Sequence, residues 1–269
     1  MEDKLKKVKE IELPKNKEFL KSIIMAQTAK NAAKTARLSF NMKFIPVFAA
    51  VIAIAAVGLY MKVDYNNSNS QRNELGGIWC TYDDRATGGT SSVWPPASTS
   101  CENLFVKSAP GYGGRGYAVR ITGTAGTSTG SDYIGVNTFL SEYSSCPHCN
   151  GIDIRKFHGI EFKIKGSVTA GKVMFIIPHE GKAADKNLNT CGSLTDYADY
   201  ESDITKTITA DWKTVRLDFK KDFKQPVWAK KENLVSIDEV LADANLIKWQ
   251  YKEGRGRQVD IWIDDLQLF

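Results

Sequence analysis

Residues 158–166 read HGIEFKIKG, and within them Ile160, Phe162 and Ile164 alternate with Glu161, Lys163 and Lys165. An apolar–charged alternation with a period of two marks a strand that buries one face and wets the other. Similar runs recur on both sides. Tyr117, Val119 and Ile121 alternate with Ala118, Arg120 and Thr122, and Val215, Leu217 and Phe219 alternate with Arg216 and Asp218. Near the end, Val259, Ile261 and Ile263 share a face before the paired Asp264 and Asp265. KVMFIIP, from Lys172, is apolar at both parities, which predicts a central strand. Clusters of Gly, Ser, Asn and Asp separate these runs. Ser236 and Glu239 have capping-box spacing and predict one short helix. Residues 75–269 are long enough for one domain with its own core. About eight strands joined by long loops predict an all-β sandwich or jelly roll.

Upstream the texture changes. Residues 44–61, FIPVFAAVIAIAAVGLYM, are eighteen residues without a charge between Lys43 and Lys62. As a helix they would cover roughly 27 Å, about the hydrocarbon thickness of a bilayer. A cleaved signal peptide is the alternative, but the 43-residue leader is long and no small-x-small site follows the run. An uncleaved transmembrane anchor is the expectation. Residues 1–43 hold eleven Lys and Arg against five acids, net +6, while the whole chain is +5. The remainder therefore sums to −1. A basic flank stays inside, so the predicted topology is a single pass of the cytoplasmic membrane with a periplasmic or extracellular C-terminal domain. The basic charge is thus a topology signal, and a nucleic-acid partner is not expected. Residues 62–74 are polar and predict a linker.

Several motifs then recur in a fixed order: WCTYDD from Trp79, GGRGYAVRITG from Gly113, YIGV from Tyr133 and FHGIEFKIKG from Phe157. DWKTVRLDF from Asp211, LIKWQY from Leu246 and VDIWIDDLQLF from Val259 complete it. This order resembles the galactose-binding-like jelly rolls of carbohydrate-binding modules, most closely the family-eleven modules that bind β-glucans, across residues 76–269. The resemblance implies non-catalytic binding of a polysaccharide or envelope glycan. It places cleft tyrosines at Tyr133 and Tyr251, with Asp132 accepting a sugar hydroxyl and further contacts at Trp228 and His179. It also implies a structural calcium near the chain ends of the domain, held by Asp83, Asp84 and Asp264. Calcium takes six to eight oxygens, which suits clustered carboxylates if the first and last strands lie side by side. Trp79, Trp212 and Trp249 sit among apolar strand neighbours and are assigned to the core.

The basic arm carries a second, looser resemblance. A Leu-Pro entry at Pro14, Phe19, Leu20, Ile23 and Ile24 on one helical face, a basic stretch and a Pro-containing span look like the juxtamembrane region of membrane-bound anti-sigma factors. That implies a cytoplasmic protein partner for residues 1–43, although the Cys/His zinc-binding module many such proteins carry is missing. A basic helix lying on anionic lipid accounts for the same residues. Signalling through the membrane and a structural envelope role therefore stay open beside glycan binding.

All five cysteines, Cys80, Cys101, Cys146, Cys149 and Cys191, follow the predicted span, as an oxidising compartment would favour. Cys146-Pro-His-Cys149 lacks the strand–helix context of a thiol oxidoreductase, and Cys146, His148, Cys149 and Cys191 lack usual zinc spacing. Loop-pinning disulfides fit better, for instance Cys80 with Cys101 and Cys191 with Cys146 or Cys149. No Ser-His-Asp order is defensible, and GYGGRG from Gly111 precedes a strand, so it is a turn rather than a phosphate loop. No enzymatic activity is expected.

Overall fold

The computed structural model describes residues 71–97, 105–128, 132–141, 151–178 and 197–269. The predicted cytoplasmic arm and membrane span lie outside them. Among the described residues no helix is long and apolar enough to cross a membrane.

Ten strands, one short α-helix and four single-turn 3-10 helices are described. In chain order they are β1 (Trp79–Asp83), β2 (Ser92–Trp94), β3 (Val119–Thr124), β4 (Tyr133–Phe139) and β5 (Gly159–Val168). Then come β6 (Lys172–Ile177), β7 (Tyr200–Asp203), β8 (Lys213–Asp218), α1 (Ile237–Ala242), β9 (Leu246–Lys252) and β10 (Gln258–Leu268). One antiparallel sheet has the order β1-β4-β9-β6-β7 and the other β2-β3-β10-β5-β8. The result is a β-sandwich of jelly-roll type, all-β apart from α1. As its capping box predicts, α1 begins at Ser236, whose hydroxyl accepts the Glu239 amide at 3.2 Å.

The alternation read in the sequence is the alternation that builds the core. Val119, Ile121, Ile160, Phe162, Ile164, Val215, Leu217, Val259, Ile261 and Ile263 all point inward from the second sheet. From the first sheet Trp79, Ile134, Val136, Val173, Phe175, Ile177, Ile247, Trp249 and Tyr251 meet them. Met174 and Ile176, on the other parity of β6, are also buried, in keeping with the run being apolar at both parities.

Trp249 sits at the centre of this packing. Its ring lies 5.5 Å from Trp79, 5.1 Å from Phe162 and 4.9 Å from Phe175, the last two edge-on. Phe162 belongs to the opposite sheet, so these rings clamp the two layers together. Edge-on and offset pairs add roughly 1 kcal/mol each beyond area burial. Among the described residues the buried indole N–H groups of Trp79 and Trp249 have no hydrogen-bond partner, which costs about 1–3 kcal/mol per group.

Two assignments change here. Trp212, placed in the core from its apolar neighbours, is half-buried on the outer face of the second sheet, edge-on to Tyr112 at 5.8 Å. It precedes β8 by one residue, and its parity is opposite to that of the inward Val215 and Leu217. The end of the predicted linker is also part of the fold. Asn73 is fully buried and donates to Thr138 Oγ1 and the Phe139 carbonyl, both at 2.7 Å. Its side-chain oxygen accepts the Leu75 and Gly77 amides.

Trp249→Ala should lower the unfolding free energy by about 3–5 kcal/mol. Trp249→Phe, which keeps a ring and removes the unpartnered N–H, should cost less. Urea denaturation of the two variants checks the order.

Candidate functional site

The pleat sends every second residue of the first sheet away from the core. Cys80 and Tyr82 of β1 face outward, opposite Asn137 and Gly135 of β4. Tyr133 and Gly135 lie opposite Lys252 and Gln250 of β9, and Gln250 lies opposite Met174 of β6. This outer face changes character along the strands. At one end Ile78, Cys80, Phe139 and Leu246 form a small buried apolar cluster. At the other end two tyrosine rings meet.

The Tyr82 and Tyr133 ring centroids are 6.0 Å apart, with planes inclined by 52°. The Tyr82 hydroxyl donates to Gln250 Oε1 at 3.1 Å. Directly beneath the Tyr82 ring is Gly135, where an added Cβ would lie 2.4 Å from Tyr82 Cζ. The missing side chain therefore lets the ring lie down across β4. Asp84 braces the neighbouring backbone. Its carboxylate accepts the Ser91 amide and hydroxyl at 2.9 and 2.6 Å and the Tyr133 amide at 3.3 Å. Burial pushes the Tyr82 phenol well above its ordinary pKa, and it raises that of Tyr133 too. Both stay neutral at physiological pH although each ring keeps part of its surface in solvent. Further along the face, Lys252 pairs with Glu201 at 2.9 Å, tying β9 to β7. Two tilted neutral rings, a side-chain amide and flanking charged groups make a surface suited to apolar ring faces and hydroxyls.

The residues singled out in the sequence divide. Tyr133 lies on this face. Tyr251 does not: its ring is fully buried in the core, and its hydroxyl donates to the Ala170 carbonyl at 2.8 Å. Two residues from inward-facing Trp249, it shares that parity, and Gln250 takes the outward place. Asp132 is also corrected. It is 4 % exposed and accepts the Ser128 amide at 3.2 Å, so it braces the loop before β4 instead of presenting a free carboxylate. Trp228 is 57 % exposed, in a loop beyond the Glu201–Lys224 bridge at the β7 edge, and no ring contact joins it to the tyrosine pair. His179 lies outside the described residues, as do Cys101, Cys146, Cys149 and Cys191. Cys80 is disulfide-bonded, and its partner lies outside the described residues. Tyr82, Gly135 and Gln250 were missed. The available signal was parity: Tyr82 is out of step with Trp79, and Gln250 falls between two core aromatics.

The carboxylates assigned to calcium do not fit it. Strands β1 and β10 belong to different sheets, and Asp83, Asp84 and Asp264 form no common group among the described residues. Asp83 is held by Arg85, whose Nε lies 2.9 Å from Oδ2, and Asp84 is taken up by Ser91 and Tyr133. Asp264 accepts the Tyr112 and Asp265 amides at 2.7 and 2.9 Å. Among the described residues no group of three or more His, Cys, Asp or Glu is placed to hold a metal ion. What gathers near Asp264 is a different cluster. The register of β10 shifts between Asp264 and Gln267, Asp265 adopts φ 50°, and Glu74 and buried Lys107 come close. Burial raises the Glu74 carboxyl to a pKa of about 7, opposed by Lys107 and reinforced by Asp264 and Asp265.

Comparison with known proteins finds only distant likeness. No family model matches the chain, and no curated protein matches it. Among solved structures, a family 11 carbohydrate-binding module from Clostridium thermocellum, in complex with a β-1,3-1,4-mixed-linked tetrasaccharide, is 19 % identical. That match covers 74 % of this chain and 94 % of the module, with a TM-score of 0.45. The family 11 module of cellulosomal cellulase Lic26A-Cel5E of the same organism is 18 % identical, covering 71 % of this chain and 86 % of that one at a TM-score of 0.43. The family 30 module of cellulase Cel9D-Cel44B of that organism is 14 % identical, covering 61 % and 79 % at a TM-score of 0.37. These values are too low to carry a function. The fold and site together define a β-sandwich of jelly-roll type with a tyrosine-lined outer face, and any function rests on the chain's own residues.

Two outcomes test this geometry. Gly135→Ala should lift the Tyr82 ring and free it from Gln250 while changing stability by no more than about 1 kcal/mol. Spectrophotometric tyrosine titration should then show one phenol returning toward its ordinary range. For Glu74, the folded pKa lies above the unfolded one, so its contribution is complete below about pH 4.5 and is lost as pH rises through 7. Glu74→Gln should gain thermal stability relative to the parent between about pH 5 and 8, and parallel curves would refute the assignment.

Proposed function

We propose that the outer face of the first sheet binds a neutral glycan without cleaving it, and that residues 44–61 hold this domain at the cytoplasmic membrane with the N-terminus inside. The observation that carries this reading is the Tyr82–Tyr133 pair, with Gln250 bonded to one of its rings. Pyranose rings have apolar faces that pack on aromatic planes, and their hydroxyls need fixed donors and acceptors. Neutral phenols beside an amide supply both without charge. Gly135 and Asp84 set the ring positions before any ligand arrives, which limits the entropy lost on binding. The Lys252–Glu201 pair bounds the surface on the β7 side. The order of motifs that resembles carbohydrate-binding modules favours the same ligand class.

Titration calorimetry against a panel of soluble neutral polysaccharides tests the proposal. Two stacked rings contribute about 2 kcal/mol, so a Tyr82→Ala, Tyr133→Ala double variant should bind roughly 30-fold more weakly. Tyr251→Phe, altered only within the core, should bind like the parent, and reducing ends should not accumulate. If no glycan binds, or if the double variant binds unchanged, the proposal fails.

A further inference from the structure

The outer face of the second sheet carries a different surface. Outward parity places Trp94 of β2 opposite Thr122 of β3, Arg120 of β3 opposite Trp262 of β10, and Trp262 opposite Lys165 of β5. The Arg120 guanidinium lies 4.7 Å from the Trp262 ring centroid. On the other side, Lys165 Nζ lies 4.6 Å from the Trp262 ring and 5.0 Å from the Trp212 ring beside β8. Trp212 meets Tyr112 edge-on at 5.8 Å, and Lys163 Nζ lies 5.1 Å from the Tyr112 ring. Cations and rings thus alternate across the sheet, a width of roughly 19 Å for five strands.

The cations on this face differ in how they are satisfied. Arg120 is held by Asp260 through two hydrogen bonds of 3.0 and 2.7 Å. Lys163 has a hydroxyl partner, Thr214 Oγ1 at 2.7 Å, and its ring. Lys165 has two rings. Neither lysine has a carboxylate within ion-pair distance among the described residues. At the two ends of the ladder, Trp94 and Tyr112 are 66 % and 43 % exposed. Trp94, Thr122 and Thr124, with Arg85, also line a cavity of about 300 Å³.

We infer that this face binds an acidic polysaccharide, with its carboxylates on Lys163 and Lys165 and its pyranose faces on the exposed rings of Trp94 and Tyr112. A polyuronate repeats one carboxylate and one apolar ring face per residue, the same alternation the ladder presents. Two ammonium groups steadied by rings, with no carboxylate within ion-pair distance among the described residues although Glu161 and Asp264 lie nearby, complement that charge. A nucleic acid fits less well. It carries a charge about every 1.7 Å of duplex axis and needs a strongly basic footprint, whereas everything beyond residue 43 sums to −1. The site is separate from the tyrosine face, so either can fail without the other.

The test uses the full 269-residue chain on immobilised polygalacturonate at low salt, with polyglutamate and single-stranded DNA as soluble competitors. The expected result is retention that salt weakens and that the two competitors displace poorly. A Lys163→Gln, Lys165→Gln variant should bind at least tenfold more weakly, and Trp94→Ala, altered at an exposed edge, should also bind more weakly. The Tyr82→Ala, Tyr133→Ala variant should bind polygalacturonate like the parent. No retention, competition by polyglutamate or DNA equal to that of free polygalacturonate, or unchanged binding by the lysine variant would each overturn the inference.

Discussion

The contact of the Trp249 ring with Phe162 across the sandwich, reinforced by Trp79 and Phe175, governs much else in the structure. It joins the two sheets, and it fixes the parity of β9. Once Trp249 must face inward, so must Ile247 and Tyr251, and Gln250 is left to face outward beside Tyr82. A packing constraint inside the core therefore selects which side chains are available outside it. This is also why Tyr251, a large aromatic in a motif that looks like a cleft, spends its ring on the core.

The two outer faces of the sandwich follow different chemical logics. On the first sheet, tyrosines, an amide and a salt bridge are arranged over a glycine that gives one ring room to lie flat. Their phenols stay neutral, so this part of the surface offers ring faces and hydroxyls without charge. On the second sheet, the Lys165 ammonium sits between two indole rings and the Arg120 guanidinium lies against one of them, and charge is part of the surface itself. The core separates them. Because strand parity generates both faces, a single fold presents two chemically distinct surfaces without added domains.

The start of the domain is held by buried polar groups. Asn73 uses both ends of its amide to join the entering chain to β4. Next to it, Glu74 meets the irregular stretch of β10 and Lys107. Buried polar groups of this kind specify one arrangement because leaving any of them unpaired is costly. Asn73 and Glu74 are consequently part of the folded domain.

Local sequence was enough for the all-β class, the inward residues of β3, β5, β8 and β10, the α1 cap and the polar turn after Gly111. Each depends on a period of two or on a capping pattern, and these are written in consecutive residues. It was also enough to place Trp79 in the core. What it could not settle is which strands become neighbours. Asp83 and Asp264 were paired on the assumption that first and last strands adjoin, but β1 pairs with β4, and β10 runs between β3 and β5 in the other sheet. Tyr82, Gly135 and Gln250 come from three strands far apart in the chain, and Trp212, Trp262 and Lys165 from three others. Such constellations depend on long-range register, and a shift by one residue would turn each side chain to the opposite face. The composition of each face was therefore present in the sequence as parity, while its assembly into a site was decided only when the two sheets closed around Trp249.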